Sequence, residues 1–293
     1  MRVLALVSFG IILSLGGAVR PLQAEGSVAQ KQDAAMEQTA PHGVIAARLP
    51  RTPVRQPRTS SASSAGIRSA IAVFPAVIDQ PDIQLKHKII ATEVFNLLPV
   101  SCQGSLKHFY VRYEKPERRG LAGKSTVIID GTLPDEEFRA VLVHEMLGHV
   151  FDLGCMTGSA QAGASTFRDG ADPVYNDDPS FAFYRISWTD AKTKRSDAVS
   201  ADFVSGYAAS DPFEDMAESV AYYMLQNAAF RSRARENAVL AVKLKWLETF
   251  FPVNQPVALG QTTGAGSVPW DVTKLPYTWN INAAGRYVST KVE

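Results

Sequence analysis

Six consecutive residues, His144, Glu145, Met146, Leu147, Gly148 and His149, bring two imidazoles and a carboxylate close together in the chain. Neutral imidazole and carboxylate are ligands for divalent metals, and a carboxylate beside a ligand can carry protons. The usual zinc-protease helix has its histidines at i and i+4, on one face of a helix with ~3.6 residues per turn. Here they stand at i and i+5. Five residues of a regular helix turn through about 500°, so the rings would point roughly 140° apart and could not share an ion. If both bind one metal, the helix must absorb an extra residue, most simply in a wide π-type turn between Glu145 and His149, eased by Gly148. The plain alternative makes Glu145 and His149, which are i and i+4, a buried ion or hydrogen-bonded pair and leaves His144 merely polar.

A second group lies downstream, with Tyr207 followed by Asp211, Pro212, Phe213, Glu214 and Glu218. The first stretch, HEMLGH, resembles the HExxGH motif of the dipeptidyl peptidase III family, which coordinates zinc despite the longer spacing. The E-x-x-A-E formed by residues 214–218 resembles that family's second motif, whose first glutamate is a zinc ligand. The same segment looks like the ligand region of the anthrax-lethal-factor-like peptidases, where a tyrosine stands seven residues before the ligand glutamate, as Tyr207 stands before Glu214. The likeness covers the two motif regions alone, and the extra residue departs from the HExxH of the second group. The chain is too short for a whole dipeptidyl peptidase III. The resemblance implies a gluzincin-type peptidase: one Zn2+ on His144, His149 and Glu214, Glu145 as general base, and Tyr207 against the transition state.

That ligand set leaves a coordination position for water, the arrangement of catalytic rather than structural zinc. Each assignment has a competing local reading. Glu214 sits where a capping-box carboxylate would reach back to the Asp211 amide. Tyr207 could be a core tyrosine near a helix start. Glu218, one turn beyond Glu214, is expected to hydrogen-bond a ligand imidazole. Asp152 is unfavourably placed for an anion in the last turn of a helix and either supports a ligand or caps the following loop. His42, His87 and His108 fall in leader, surface or mixed-face positions and read as structural.

The elements that must hold these groups form an α+β domain, zincin-like, with a buried metal-binding helix on a small sheet and a helical C-terminal half. Residues 82–98 have helical apolar spacing, ended by Pro99; residues 108–114 and 125–130 are β-branched and aromatic and read as strands, the second a candidate to pair with an extended substrate. A capping-box-like start at Thr132, with Pro134 in the first turn, opens a helix to 153 that is apolar nearly all round. Residues 154–210 read as a long loop whose aromatic island, Phe181 to Trp188, would help form a cleft. Asp211 as N-cap and Pro212 open another helix with Phe213, Met216, Ala217, Val220, Tyr223 and Met224 inward, and a final helix covers 232–251.

Residues 1–24 read as a secretory signal, with Arg2, an apolar core from Val3 to Leu15 and a small residue at the end. That core is too short to span a bilayer, and no later segment is apolar enough, so no stable membrane insertion is expected once it is removed. Residues 25–66 form a polar, flexible leader; 67–252 the catalytic domain; 253–293 a tail without a clear pattern. Loss of Arg2 and Arg20 takes the net charge from +1 to −1, with no nucleic-acid footprint. The two cysteines, Cys102 and Cys155, are a candidate disulfide in an exported chain. The reading is thus a secreted or periplasmic peptidase acting on a peptide or protein; a non-catalytic zinc-stabilised binding module and a metal-dependent hydrolase of a non-peptide amide remain as alternatives.

Overall fold

The computed structural model describes residues 73–114, 116–251, 257–264 and 266–280. The signal and leader expected at 1–66 lie outside them. The described part opens with helix α1 (Leu85–Phe95) and the short α2 (Val100–Gln103), then strands β1 (His108–Arg112), β2 (Gly120–Ala122) and β3 (Thr126–Asp130). Together the strands form one sheet in the order β1-β3-β2, β1 parallel and β2 antiparallel to β3. Val127 and Ile129 of β3 are fully buried, as expected of the central strand.

Helix α3 (Asp135–Leu142) follows and runs on without a break into π-helical turns over Val143–Cys155. The expected helix over 132–153 is therefore there, but it starts later than its sequence suggested. Thr132 caps nothing in it: both its amide and its hydroxyl donate to Asp130 Oδ1. Pro134 precedes the first turn, where Asp135, Glu136 and Glu137 complement the helix dipole. All residues from Val143 to Asp152 are buried.

The segment 154–210 is not a loop. It holds a two-stranded hairpin, β4 (Ala164–Asp169) with β5 (Asp172–Tyr175), and helix α4 (Pro179–Ser187), capped by the Asp178 carboxylate. The aromatic island is core: Phe183, Tyr184 and Trp188 are at most 2% exposed, because apolar rings at helical spacing turn inward onto the neighbouring helices.

Helix α5 (Pro212–Leu225) starts as expected, with the Asp211 carboxylate accepting from the Phe213 and Glu214 amides. Nearly every residue after its first turn is buried, so it is the central helix, packed against the π-helical segment. The single final helix expected at 232–251 is two, α6 (Asn227–Glu236) and α7 (Ala238–Phe250), divided at Asn237, whose extended backbone and side-chain cap on Leu240 start the second. The described part of the tail packs back on the domain. It contributes a hairpin, β6 (Ala258–Gly260) with β7 (Tyr277–Trp279), and the stretch between them runs to the site described next. Cys102 of α2 is disulfide-bonded to Cys155, the last π-helical residue. Closing a loop with a sequence separation of 53 constrains the unfolded chain by about 4 kcal/mol. No helix among the described residues is long and apolar enough to cross a membrane.

Candidate metal centre

The extra residue between the histidines is absorbed by a whole π-helical segment rather than one bulge. Its i→i+5 bonding is explicit where the segment ends, the Met156 amide donating to the Phe151 carbonyl at 3.0 Å. The wide turns bring His149 round beside His144, with ring centroids 5.0 Å apart and nearly perpendicular. Glu214, in the first turn of α5, faces both: its Oε2 lies 3.1 Å from His144 Nε2 and 3.4 Å from His149 Nε2. One ligand atom from each residue lies within 4.8 Å of the others, so the group could hold a metal ion. A tetrahedron with ~2.0–2.1 Å metal–ligand bonds has edges of about 3.4 Å, close to these two separations.

The remaining contacts fit a cation at this point. His144 faces a carboxylate at each ring nitrogen, Glu214 at Nε2 and Glu218 Oε1 at Nδ1, 3.0 Å away. Burial pushes the His144 pKa down, but these two hydrogen bonds outweigh it and hold the imidazole well above its usual range. For Glu214, burial raises the pKa and the two histidines lower it further, leaving the carboxylate well below its usual range. The cluster thus holds strong negative charge against two imidazoles, an arrangement that a divalent ion on Nε2 of each ring would satisfy without an imidazolium. Glu214 is not a capping-box residue here; its second oxygen accepts from the Tyr207 hydroxyl at 2.8 Å.

Glu218 is where the sequence placed it, under His144, and its support comes from further away. Its other oxygen accepts from Ser205 Oγ at 2.6 Å and from the Val272 amide at 2.9 Å. Neither partner was legible in the sequence, since one lies in an irregular turn and the other in the tail. Asp152 is buried in the same helical segment, but its hydrogen bonds are to the Tyr184 hydroxyl of α4, at 2.6 Å, and none joins it to either histidine. It neither supports a ligand directly nor caps a loop. Burial, opposed by the Ser180 and Tyr184 hydroxyls, pushes its carboxyl up to about 7.

Glu145 lines the open side of the cluster. Its carboxylate packs against Gly120 of β2, where a side chain would fall 2.3 Å from Oε1. Burial raises its pKa and the two histidines lower it, with a net rise. The Glu145–His149 pair offered by the sequence does not form; His149 turns to Glu214 instead. The Tyr207 pKa is raised by burial and by the Glu214 charge, which keeps the phenol protonated.

These groups open into a cleft of ≈ 700 Å³ walled by Arg119, Gly120, Leu121 and Ala122 of the sheet edge, Phe213 of α5 and Trp270 of the tail. The sheet edge on the cleft is β2, not the 125–130 strand the sequence suggested, because β3 is paired on both sides. Two further histidines lie outside the site, and one of them, His87, is a structural core group. His87 is not at the surface: it is fully buried, its Nδ1 2.9 Å from the Tyr113 hydroxyl and its ring stacked on Phe138. His108 is exposed on β1.

Behind the cluster, Lys243 and Asp215 form an ion pair of 2.7 Å with both side chains fully buried, and Trp188 Nε1 donates to the same carboxylate. This pair was missed. Its signal is Lys243 within the apolar stripe Leu240, Leu244 and Leu247, which is a position that needs a buried partner.

No family model, curated protein or solved structure matches the chain.

Proposed function

We propose that the protein is an exported zinc-dependent peptidase that hydrolyses amide bonds of a peptide or protein substrate. One observation carries this reading: two imidazole nitrogens and a carboxylate oxygen converge on the wall of an open cleft, with a further buried carboxylate, Glu145, beside them. His144, His149 and Glu214 would hold one Zn2+. Zinc so bound supplies a water acidified toward ~7 and polarises the substrate carbonyl.

The chain's own residues have distinct tasks. Glu145 accepts the proton of the attacking water and passes it to the leaving amine; its raised pKa makes it the stronger base for the first transfer. Tyr207 stays protonated, and its hydroxyl, which donates to Glu214 in the free site, turns to donate to the oxyanion, a contact worth ~3–4 kcal/mol in comparable sites. Glu218 keeps His144 in the tautomer that presents Nε2. Strand β2, at the end of its sheet, offers backbone groups to an extended substrate. Export rests on the apolar stretch of residues 1–24.

The test compares wild type with Glu145→Gln for zinc content and for cleavage of a mixed peptide library. Both proteins are expected to hold about one zinc per chain, and the variant to lose roughly 10²–10⁴-fold in rate. Unchanged cleavage by the variant removes the general-base assignment, and no cleavage by zinc-loaded wild type removes the peptidase reading.

A further inference from the structure

The tail delivers one residue to the cleft that none of the chemistry above uses. Trp270 is 73% exposed, the most open aromatic side chain among the described residues, and it lines the same cleft as Glu145 and Tyr207. Leaving an indole in water is unfavourable, so its position must be imposed by its surroundings. It is imposed on both sides. The Gly206 amide donates to the Pro269 carbonyl at 2.7 Å, and the Tyr207 amide to the Trp270 carbonyl at 2.8 Å. On the other flank Arg119 pairs with Asp271 and donates to Thr273 Oγ1, while the Val272 amide donates to Glu218. The indole also rests on Gly206, where a Cβ would come 2.6 Å from its ring. The backbone that carries the ring is thus held beside Tyr207, the residue placed against the reacting carbonyl, and the ring, resting on Gly206, is left largely open.

We propose that Trp270 is a specificity-determining residue that stacks on a large apolar or aromatic side chain of the substrate next to the scissile amide. This rests on the peptidase reading and names the kind of side chain it selects. The neighbourhood favours an apolar partner. Leu121, 48% exposed on β2, is another large apolar side chain left open on this cleft. The carboxylate next to the indole, Asp271, is already paired with Arg119 and is not free to hold a cationic side chain.

Two blocked hexapeptides test it, one all-alanine and one with a single central phenylalanine. Their affinities are measured by calorimetry for the zinc-loaded Glu145→Gln protein, with and without Trp270→Ala or Trp270→Phe. Phenylalanine is expected to bind roughly tenfold more tightly than alanine. Trp270→Ala should bring the ratio close to one and Trp270→Phe should keep most of it. In the Glu145-containing protein the same ratio in kcat/KM should fall with Trp270→Ala, mainly through KM. A ratio that Trp270→Ala leaves unchanged overturns the proposal, as does a peptide with central arginine binding better than the phenylalanine peptide, or no preference at all. If the Trp270-dependent preference appears in binding while no peptide is cleaved, the peptidase reading fails and the recognition stands.

Discussion

Replacing Gly148 with alanine puts a methyl group where two helices already touch. A Cβ at this position would lie 2.6 Å from the Cβ of Ala217 and 2.7 Å from its Cα. Carbon atoms in ordinary contact are about 3.5–4.0 Å apart, so the π-helical segment and α5 must separate by about 1 Å. Backbone lies on the far side of the clash, and no rotamer change relieves it. Overpacking of this kind costs ~1–3 kcal/mol of stability. The expected effect on metal binding is larger. His149 adjoins Gly148 and Glu214 lies one turn before Ala217, so the separation acts directly on the 3.4 Å gap between those two ligands. Ligand distances tolerate only ~0.2 Å, and a shift several times larger should weaken zinc binding by at least roughly 100-fold. Competition against a chelator reads the affinity, and melting with and without zinc reads the linked stability. Adding Ala217→Gly removes one of the two clashes and should restore part of the loss. Gly148→Ala with the zinc affinity and melting temperature of wild type would refute the close-approach account of this glycine.

Two further outcomes follow from the site's supports. Glu218→Ala leaves His144 Nδ1 without its acceptor, and zinc affinity should fall by about 10–100-fold in the same chelator competition; an unchanged affinity would show that the carboxylate does not orient the ring. Asp152 has a folded pKa of about 7 against an ordinary value of 3.8, so the folded state binds the extra proton and stability falls as pH rises between these values. Asp152→Asn should therefore gain melting temperature relative to wild type as pH rises from 5 to 8, and a pH-independent difference would refute the burial of that charge.

The candidate ligand set was legible in the sequence because the chemistry is local. His144, Glu145 and His149 fall within one short stretch, and Asp211 with Pro212 fixes the start of α5 and hence the phase of Glu214 and Glu218. The i, i+5 spacing even required a wide turn, since a regular helix cannot aim those rings at one point. What the spacing could not specify was how far the distortion spreads, because i→i+5 bonding is sustained over Val143–Cys155 by packing against α5 rather than by any residue preference. The aromatic island failed as a cleft element for the same reason: Phe183, Tyr184 and Trp188 are equally at home lining a cavity or filling a core, and only the position of α7 and α5 settled it. Strand pairing was also open, since the edge facing the cleft is the three-residue β2, too short to leave a pattern.

Local spacing therefore determined which residues could bind a metal, while long-range contacts decided what stands around them. Ser205, Val272 and Trp270 reach the site through one irregular turn and the tail, where neither periodicity nor propensity marks a position. A metal ligand is recognisable by its side chain; a backbone amide that happens to meet Glu218 is not, because every residue but proline has one and only the folded chain determines which of them arrives.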